Sequence, residues 1–399
     1  MRVLHILHTS LPHVCGYSIR SDQILSVQRT RDIALAVVTS GQQPDNATDE
    51  TFGNTRYFRT QCSSLSRSPI REMQLIWALA RKISYAVDQF DPDIIHAHSP
   101  ILVGLPARYI AKRRGLPFMY EVRDLWENAS VDRGKFAAGS TPYRLARSLE
   151  TWLLQRADAV VTIGETLRTE LQARSTTQVI VVPNGVDPSA FPPMEPHAKW
   201  RHEWNPDDRQ VIAYIGSFQP YEGLEILIKA MPLIAANRQA AHLLIVGDGP
   251  ERATLEKLVN AKKLDTQVTF AGRLPHNRVR EVYAVADLLV YPRIATLTTQ
   301  LTTPLKPLEA LSMEKAILAS DLSAMRELIV NNETGILFEA GNVGDLAEKA
   351  VALLSDANLR ARLGKAGRQG ILQSRRWDMS IEKYLPVYQR LIAKHDRQR

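Results

Sequence analysis

The sequence predicts an α/β protein built from two doubly wound parallel-sheet domains, and three observations predict it. Short apolar runs alternate with longer stretches of helical periodicity, which is typical of β–α–β units. This alternation stops at a polar, proline-rich stretch over residues 188–208 and then begins again. The chain has 399 residues, 45% hydrophobic and 23% charged, a composition and length that suit two globular domains of ~200 residues each.

The first half contains six apolar runs that we predict to be strands. They are Val3–Leu7, Ile33–Thr39, Ile94–His98, Phe118–Val122, Ala159–Ile163 and Val179–Val182. The run that opens the chain is short and is interrupted by His5 and His8, so it predicts a buried strand rather than a signal peptide.

The second half repeats the pattern with six further predicted strands. They are Val211–Gly216, His242–Gly247, Gln267–Ala271, Leu288–Tyr291, Ala316–Ser320 and Ile336–Phe338. Helices are predicted over Gly223–Asn237, Glu251–Lys262, Val279–Val285 and Trp377–Lys394. We therefore expect one domain at residues 1–190 and another at 191–376, with ligand bound where strand carboxyl ends meet helix amino ends.

The net charge of +8 suits nucleic acid, an anionic membrane face or a phosphorylated small molecule as partner. The basic residues are spread along the chain, which argues against nucleic acid. The segment Arg71–Phe90 carries an apolar stripe with basic residues elsewhere on the helix, which fits a core-facing helix better than a membrane-binding one. The stripe comprises Met73, Ile76, Trp77, Ala80, Ile83, Val87 and Phe90.

The two cysteines, Cys15 and Cys62, are too few for a disulfide framework and lie in no zinc-binding pattern. They indicate a reducing compartment. The longest apolar runs also fall short of the ~18 residues that a membrane-spanning helix needs. We expect a cytoplasmic protein, at most bound to the inner face of the cytoplasmic membrane.

Three segments of the second half are candidates for chemistry. Gly216–Gly223 takes a buried strand through a glycine-bounded loop into a helix, which suits phosphate but also describes a plain turn. Gly247–Glu251 repeats this arrangement, and there an ordinary tight turn is the better interpretation. Lys306 and Glu309 share one helix face. They suit a phosphate and ribose hydroxyls respectively, with a surface ion pair as the alternative.

The first half offers charged residues at two predicted strand ends. His96 and His98 have strand spacing, but no third ligand is evident, so a metal site is not favoured over a buried histidine. Glu121, Arg123 and Asp124 end the next strand, and the cost of burying charge predicts that they lie at a cleft edge. Asp91-Pro92-Asp93 precedes a strand and predicts a turn, so we expect no metal ion.

The order of these segments resembles the family 4 retaining glycosyltransferases of GT-B fold, and the likeness covers nearly the whole chain. It is carried by HAHSP (96–100), EVRD (121–124), Glu150 ahead of RAD (156–158), VPNGVD (182–187), YIGS (214–217), VGDGPE (246–251), FAGRLPH (270–276), YPR (291–293) and TPLKPLEA (303–310). The last two, with YIGSF and YEGLE, look closest to the branch associated with exosortase/PEP-CTERM exopolysaccharide systems.

The resemblance implies two Rossmann-like domains that face a cleft, with a nucleotide-sugar donor held mainly by the second. The last helix, residues 377–399, is expected to pack back on the first domain. The acceptor is expected to be a glycan or a polyprenyl-diphosphate-linked sugar, near Glu121, Arg123 and Asp124. The implied donor contacts are Glu309 to the ribose, backbone N–H groups of Gly216 and Ser217 to the diphosphate, Gly272, Arg273 and Leu274 to the base, Gly16 to the phosphate, and His98 to the transferred sugar.

The chain departs from the family pattern at three places. Many relatives carry an Arg after the strand glycine and a Lys five residues later, where this chain has Ser217 and Glu222. We therefore expect Lys306 and Arg293 to supply the cations. A glutamate eight residues before the ribose-binding one is replaced by Leu301, or by Gln300 if the loop is shifted, and the paired glycine of the first loop is Cys15-Gly16. Leu305 lies in the same donor segment.

These implications predict front-face sugar transfer with retention of configuration and no cofactor beyond the donor. His98, Lys306 and Glu309 are the expected catalytic residues. Two alternatives stay open. A GT-B sugar-nucleotide epimerase would turn over donor without an acceptor. A non-catalytic nucleotide-sugar-binding protein would bind donor and release no nucleotide.

Overall fold

The computed structural model describes residues 1–42, 48–61, 69–204, 209–238, 241–275 and 278–397. It divides into two compact units. The first unit comprises Met1–Asn184 and Trp377–Arg399, and the second comprises Gly185–Arg376. The final segment of the chain thus belongs to the first unit. Cys62 and His276, named above, lie outside the described residues, as do residues 205–208 of the proline-rich stretch.

Fourteen strands occur among the described residues. They are β1 (Arg2–Leu7), β2 (Ala34–Thr39), β3 (Glu50–Phe52), β4 (Thr55–Arg59), β5 (Ile94–His98), β6 (Phe118–Val122), β7 (Ala159–Thr162), β8 (Val179–Val181), β9 (Gln210–Ile215), β10 (Ala241–Val246), β11 (Val268–Gly272), β12 (Leu288–Tyr291), β13 (Ile317–Ser320) and β14 (Ile336–Phe338).

The helices of the described residues connect these strands. They are α1 (Gly16–Arg29), α2 (Pro69–Phe90), α3 (Ile101–Arg114), α4 (Trp126–Asp132), α5 (Thr141–Leu154), α6 (Glu165–Gln172), α7 (Ala198–Trp204), α8 (Leu224–Asn237), α9 (Arg252–Ala261), α10 (Val279–Val285), α11 (Leu297–Leu301), α12 (Lys306–Ser312), α13 (Ser323–Arg326), α14 (Val343–Ser355), α15 (Ala357–Ser374), α16 (Trp377–Glu382) and α17 (Leu385–Asp396), with a 3-10 turn at Pro220–Glu222.

The first unit is built on an eight-stranded sheet of order β3-β4-β2-β1-β5-β6-β7-β8. Every described pairing is parallel except that of β3 with β4. After β1 the chain moves to one side of the sheet, and it returns on the other side of β1 as β5. The carboxyl ends of β1 and β5 therefore form a topological switch point, where such sheets bind ligands.

The second unit is built on a six-stranded parallel sheet of order β11-β10-β9-β12-β13-β14. Here the chain reverses direction across the sheet between β9 and β12, so their carboxyl ends form the second switch point. Buried apolar side chains cover both faces of the sheet, for example Tyr214 and Ile245 on one and Ala213 and Leu244 on the other. The predicted α/β class with two doubly wound parallel sheets is confirmed.

The sequence analysis missed the hairpin of β3 and β4 at the edge of the first sheet. All three residues of β3 are exposed, so no apolar run marks the strand. Gly53, with a φ of +56°, lies in the turn between the two strands. A short solvated edge strand leaves little trace in a hydrophobic pattern.

Helix α2 confirms the later part of the predicted stripe, since Ala80, Ile83 and Val87 are buried, but not its start. Its core face is formed by Leu75, Leu79 and Ile83 with their neighbours, whereas Met73 and Trp77 are each 61% exposed. Positions two residues apart on a helix differ by ~200° in direction, so a stripe through Leu75 and Leu79 turns Met73 and Trp77 outward. The predicted assignment of Met73 and Trp77 to the core-facing stripe was wrong.

The predicted helix over Trp377–Lys394 is two helices, α16 and α17, that meet at Lys383 and Tyr384. Pro386 accounts for the break, because proline is tolerated in the first turn of a helix but not in its interior. The predicted apolar face still holds for Ile381, Tyr384 and Tyr388, which are buried in the first unit. Among the described helices, none is both long and apolar enough to cross a membrane.

Candidate active site

The second unit brings four of the predicted residues to the switch point of its sheet. Gly216 directly follows β9, and Arg293 lies two residues beyond the end of β12. Lys306 and Glu309 lie in the first turn of α12. The sequence could place these residues at strand ends and helix starts, and the sheet order explains why these particular ends adjoin.

The ammonium of Lys306 lies against the backbone at the end of β9. Its Nζ donates a hydrogen bond to the Tyr214 hydroxyl, 3.0 Å away, and Tyr214 in turn donates to the Ser217 carbonyl at 2.9 Å. Gly216 has a φ of +154°, and a Cβ placed there would come within 1.9 Å of Lys306 Nζ. The φ favours glycine at this position, and the lysine lies at the place where phosphate was expected.

The Glu309 carboxylate lies on the same helix as Lys306. The hydroxyl of Tyr283 donates to Glu309 Oε2 at 2.8 Å, and the hydroxyl of Tyr291 donates to the Lys306 carbonyl at 3.1 Å. Burial raises the pKa of Glu309 to about 7, against the opposing effects of the Tyr283 hydrogen bond and the Lys306 charge. The Glu309 carboxyl group therefore titrates near neutral pH.

Arg293 and Glu222 complete the charged groups around Lys306. Arg293 is buried, and its Nη1 donates to the Thr302 carbonyl at 3.0 Å. The Glu222 carboxylate lies between the two cations, with its oxygens 3.6 Å from Lys306 Nζ and 3.9 Å from Arg293 Nε. Burial disfavours the charge on Glu222, but Lys306 and Arg293 outweigh that effect and lower its pKa. The sequence analysis treated Glu222 as a lost cation and missed this carboxylate as part of the site.

The other predicted donor residues lie at or beyond the carboxyl ends of strands β9, β11 and β12 of the same sheet. Ser217 and Arg273 are exposed, while Leu274 and Leu305 are half-buried. Gly272 has a φ of +70°, and its carbonyl accepts from the Gly247 backbone N–H at 2.8 Å. Gln300 is engaged elsewhere, since its Oε1 accepts from the Ser323 backbone N–H at 3.0 Å. That contact ties α11 to α13.

Gly247, in the loop given the weaker functional interpretation, lies against the same backbone. It has a φ of +135°, and a Cβ there would come within 1.8 Å of the Gly216 carbonyl. The loop after β10 thus packs directly on the loop after β9. This close approach supports the interpretation that the Gly247 segment shapes the site rather than reacts in it.

The first unit centres on the buried carboxylate of Glu121, near the end of β6. Arg20 Nε donates to Glu121 Oε1 at 3.0 Å, and Arg123 Nε donates to the same oxygen at 2.8 Å. The hydroxyl of Tyr384 donates to Oε2. Burial opposes the charge on Glu121, but the two guanidinium groups outweigh it and hold its pKa well below the usual range.

This arrangement corrects the prediction that Glu121 and Arg123 lie at a cleft edge. Both are buried within the first unit, because each satisfies the charge of the other and Arg20 adds a second guanidinium. Asp124 is half-buried, and the Ser99 hydroxyl donates to it at 3.4 Å. Gly16, at the start of α1, is exposed.

His98 lies at the carboxyl end of β5, as predicted, but its ring is fully buried and both nitrogens are bonded. Arg123 Nη2 donates to His98 Nδ1 at 2.7 Å, so His98 carries its proton on Nε2. That proton is donated to His5 Nδ1 at 2.9 Å, and His5 Nε2–H then donates to Gln28 Oε1 at 2.8 Å. For His98 to touch a sugar it must give up one of its two bonds.

The same sequence of hydrogen bonds continues to the C-terminal helix. Gln28 Nε2 donates to the Tyr388 hydroxyl at 3.0 Å, and Tyr388 donates to His96 Nδ1 at 2.8 Å. His96 Nε2 then faces Glu121 Oε2 at 3.5 Å. Glu121 also accepts from Arg123, but His96 Nε2 makes no hydrogen bond, so the series of bonds stops one contact short of closing. We call this set, which comprises Arg123, His98, His5, Gln28, Tyr388, His96 and Glu121, the histidine cluster.

The structure supplies the third histidine that the sequence analysis did not find. His5 on β1 is paired in register with His96 on β5, and ligand atoms of His5, His96 and His98 lie within 4.8 Å of one another. Burial lowers the pKa of all three, so they are neutral. However, two of the three already bond to each other, and Arg20 and Arg123 lie beside them. These contacts favour a neutral hydrogen-bonded cluster over a cation site.

Several residues of these two centres carry no strong signal in the sequence. His5 looked only like an interruption of an apolar run, although a histidine inside a central buried strand is itself unusual. Arg20 and Gln28 lie on α1 and reach the centre only because α1 packs on the sheet. The four-residue spacing of Tyr384 and Tyr388 was visible, but their hydroxyl partners were not.

Comparison with known protein families agrees with this architecture. Residues 16–185 match the model of the glycosyl transferase 4-like domain, and residues 197–370 match that of the glycosyl transferases group 1. Two matched domains in this order, each with its switch-point site, define a glycosyltransferase of GT-B fold. The chain is a family 4 glycosyltransferase of the group 1 type.

Relatives and solved structures extend along nearly the whole chain. The GDP-mannose-dependent alpha-mannosyltransferase of Mycobacterium tuberculosis is 25% identical and is aligned over 100% of this chain and 99% of its own. The sucrose-phosphate synthase of Thermosynechococcus elongatus has a TM-score of 0.82 at 20% identity, covering 98% of this chain and 99% of its own. Anabaena Alr3699/HepE in complex with UDP-glucose has a TM-score of 0.75 at 17% identity, covering 97% and 100%.

Proposed function

We propose that this protein transfers a hexose from a nucleotide-diphosphate sugar to a glycan or lipid-linked acceptor, with retention of configuration. The observation that carries the proposal is the group at the second switch point. There the Lys306 ammonium lies at the end of β9, Arg293 lies at the end of β12, and the Glu309 carboxylate follows on α12. Two cations and a carboxylate at one sheet edge suit a diphosphate joined to a ribose.

The chemistry needs stabilisation of the leaving diphosphate. When the sugar leaves, negative charge grows on the diphosphate, and fixed cations and N–H groups stabilise that charge. Lys306, Arg293 and the backbone N–H groups of Gly216 and Ser217 are assigned this role, and Glu309 is assigned the ribose hydroxyls. The base is assigned to Gly272, Arg273 and Leu274.

Thermal unfolding in the presence of UDP-, GDP-, ADP- and dTDP-sugars tests the donor proposal. A ligand that binds only the folded protein at 100 times its Kd adds ~2.7 kcal/mol of stability. We expect one nucleotide class to raise the Tm, followed by release of that nucleotide when an acceptor is supplied. One named relative is GDP-mannose-dependent and one named structure is in complex with UDP-glucose, so the panel must include both UDP- and GDP-sugars. Absence of any shift at millimolar concentration would refute the proposed donor site.

We also propose that transfer needs no divalent metal ion. Cations of the protein itself, Lys306 and Arg293, lie at the sheet edge to which the diphosphate is assigned. At Asp91-Pro92-Asp93, the Asp91 backbone has a φ of +50°, and the Asp93 carboxylate accepts from the Arg2 backbone N–H at 2.7 Å. Transfer measured in excess EDTA should therefore proceed at an unchanged rate, and its abolition would contradict this part of the proposal.

The acceptor is proposed to be a polyprenyl-diphosphate-linked or similar glycan in exopolysaccharide or cell-surface synthesis, presented at an anionic membrane. One face of the first unit supports this location. Helices α2, α3 and α5 connect successive parallel strands and pack side by side. They expose Met73, Trp77, Tyr109, Leu145, Leu149 and Trp152, beside the basic residues Arg81, Lys112, Arg113, Arg144 and Arg156.

Sedimentation with vesicles of anionic and of neutral lipid tests this contact. Aromatic and aliphatic side chains insert at the interface, and basic side chains near anionic lipid contribute ~1 kcal/mol each. We expect binding to anionic vesicles at low salt that weakens about tenfold or more in a double variant, Trp77→Ser with Leu149→Ser. The control is Leu372→Ser, an exposed leucine of the second unit. If the wild-type protein stays in the supernatant at low salt, the membrane proposal fails.

A further inference from the structure

Glu222 is a buried carboxylate that faces two cations and the Tyr214 hydroxyl, and these surroundings indicate its role. It ends the 3-10 turn at Pro220–Glu222, directly before α8, and its side chain is 8% exposed. Its nearest cationic atoms are Lys306 Nζ at 3.6 Å and Arg293 Nε at 3.9 Å. A buried carboxylate is costly unless cations compensate it, so the three charges form one interdependent group.

The exposure of the three side chains gives this group a direction. Lys306 is 23% exposed, whereas Arg293 is 5% and Glu222 is 8% exposed. A ligand that arrives from solvent therefore meets the ammonium first, and the carboxylate lies behind it. The ammonium is also held from the side, since it donates to the Tyr214 hydroxyl at 3.0 Å.

We propose that Glu222 is a positioning residue of the donor site, which holds the Lys306 ammonium charged and in place at the carboxyl end of β9 for the diphosphate of the donor. This inference rests on the proposed function, because it assigns a ligand to Lys306. It goes beyond that function, because it assigns the negatively charged Glu222 a role in the binding of the negatively charged diphosphate. Without Glu222, Lys306 would keep its position on α12, but its ammonium would lose the negative charge that holds it in place.

The titration of Lys306 depends on charged and titratable groups from every element around it. Glu222 from the 3-10 turn and Glu309 from α12 raise its pKa, and Arg293 from the loop after β12 lowers it. The Tyr214 hydroxyl of β9 accepts from its ammonium, while the hydroxyls of Tyr283 and Tyr291 contact its carbonyl instead. Burial has the largest effect on the pKa of Lys306 and lowers it. Glu222 has the largest of the opposing effects, so it is the main group that keeps Lys306 protonated.

Two measurements on the full-length protein test the inference. The first is the pH dependence of trace acetylation of the Lys306 amine, read by mass spectrometry, in the wild type and in Glu222→Gln. The variant should react at a lower pH, since it has lost the carboxylate that favours the protonated amine. The second is calorimetric titration with UDP-glucose and GDP-mannose from pH 6.5 to 9.5. For whichever nucleotide sugar the wild type binds, we expect binding ~10-fold weaker in Glu222→Gln, with the deficit growing as pH rises.

Two further variants separate positioning from a general structural effect. Glu222→Asp should recover part of the affinity, because it restores the charge. Glu225→Gln, an exposed glutamate that pairs with Lys229, should match the wild type in both measurements. An unchanged acetylation profile in Glu222→Gln would overturn the inference, as would tighter nucleotide-sugar binding, which would make Glu222 a competitor of the diphosphate. Failure of the wild type to bind either sugar would instead count against the proposed donor, while the acetylation profile would still decide the role of Glu222.

Discussion

Glu309→Ala is expected to abolish the thermal stabilisation of this protein by its nucleotide-sugar donor. The substitution removes the carboxylate assigned to the ribose hydroxyls and leaves the Tyr283 hydroxyl without its acceptor. Hydrogen bonds to a charged group contribute ~1.5–3 kcal/mol each, so the loss of two such bonds weakens binding ~100-fold or more. The measurement is the donor-induced rise in Tm, compared at one donor concentration.

The matched control is Glu225→Ala, which removes an exposed glutamate at the start of α8. It should leave the donor-induced shift unchanged. The Tm of Glu309→Ala without donor reports any loss of folding, and that value must stay near the wild type for the comparison to hold. A full donor-induced shift in a folded Glu309→Ala protein would show that the ribose assignment is wrong.

The raised pKa of Glu309 adds a pH dependence to the same assay. Its pKa is about 7 in the folded protein, and the ionised carboxylate is the better acceptor for ribose hydroxyls. Donor affinity is therefore expected to fall as pH drops through 7, by up to ~10-fold per pH unit below the pKa. A nucleotide sugar suits the test because its diphosphate diester does not titrate there. Glu309→Gln should bind weakly, with no transition near pH 7.

Glu121→Gln is expected to destabilise the first unit more than other charge-removing changes. It preserves the volume of the side chain but leaves the buried Arg20 and Arg123 without their countercharge. Loss of one partner of a buried ion pair costs ~3–5 kcal/mol. For a unit of about 200 residues, that corresponds to a Tm lower by ~6–20 °C. Calorimetry, which separates the unfolding of the two units, provides the measurement.

The control for this change is Glu382→Gln. Glu382 also pairs with an arginine, Arg31, which lies just after α1, but both side chains are largely exposed. Surface pairs of this kind contribute ~0–1 kcal/mol, so the Tm should move by a few degrees at most. Equal effects of the two substitutions on the Tm would show that the stability of the histidine cluster does not depend on the charge of Glu121.

The sequence was sufficient for the strands of both sheets other than β3 and β4, because most of those strands are buried. Runs such as Ile94–His98 and Leu288–Tyr291 were predicted with the bounds that the structure gives them. Buried parallel strands show as continuous apolar runs, which a pattern reveals directly. The placement of Gly216, Lys306 and Glu309 near strand ends and helix starts followed from the same logic, since those positions are fixed by local sequence order.

The sequence was insufficient where a role depends on residues that are distant along the chain. Glu222 and Lys306 are 84 positions apart, and only the adjacency of β9 and β12 brings their charges to 3.6 Å. Likewise, the price of burying Glu121 could be judged only once Arg20 was known to reach it. The expectation that charged residues lie at an exposed edge therefore failed for Glu121, because residues from three elements bond to its carboxylate.

The path of the chain through the two units has a practical consequence. The second unit starts and finishes at neighbouring points, since Val186 and Arg376 form a parallel bridge and the Val186 N–H donates to the Arg375 carbonyl at 2.9 Å. Residues 185–376 thus behave as a cassette inserted into the fold of the rest. Exchange of residues 185–376 between relatives therefore needs only two junctions, which lie next to each other, and would exchange the proposed donor site. A chain that ended after residue 184 would instead lack Tyr384 and Tyr388, whose hydroxyls donate to Glu121 and His96 in the first unit.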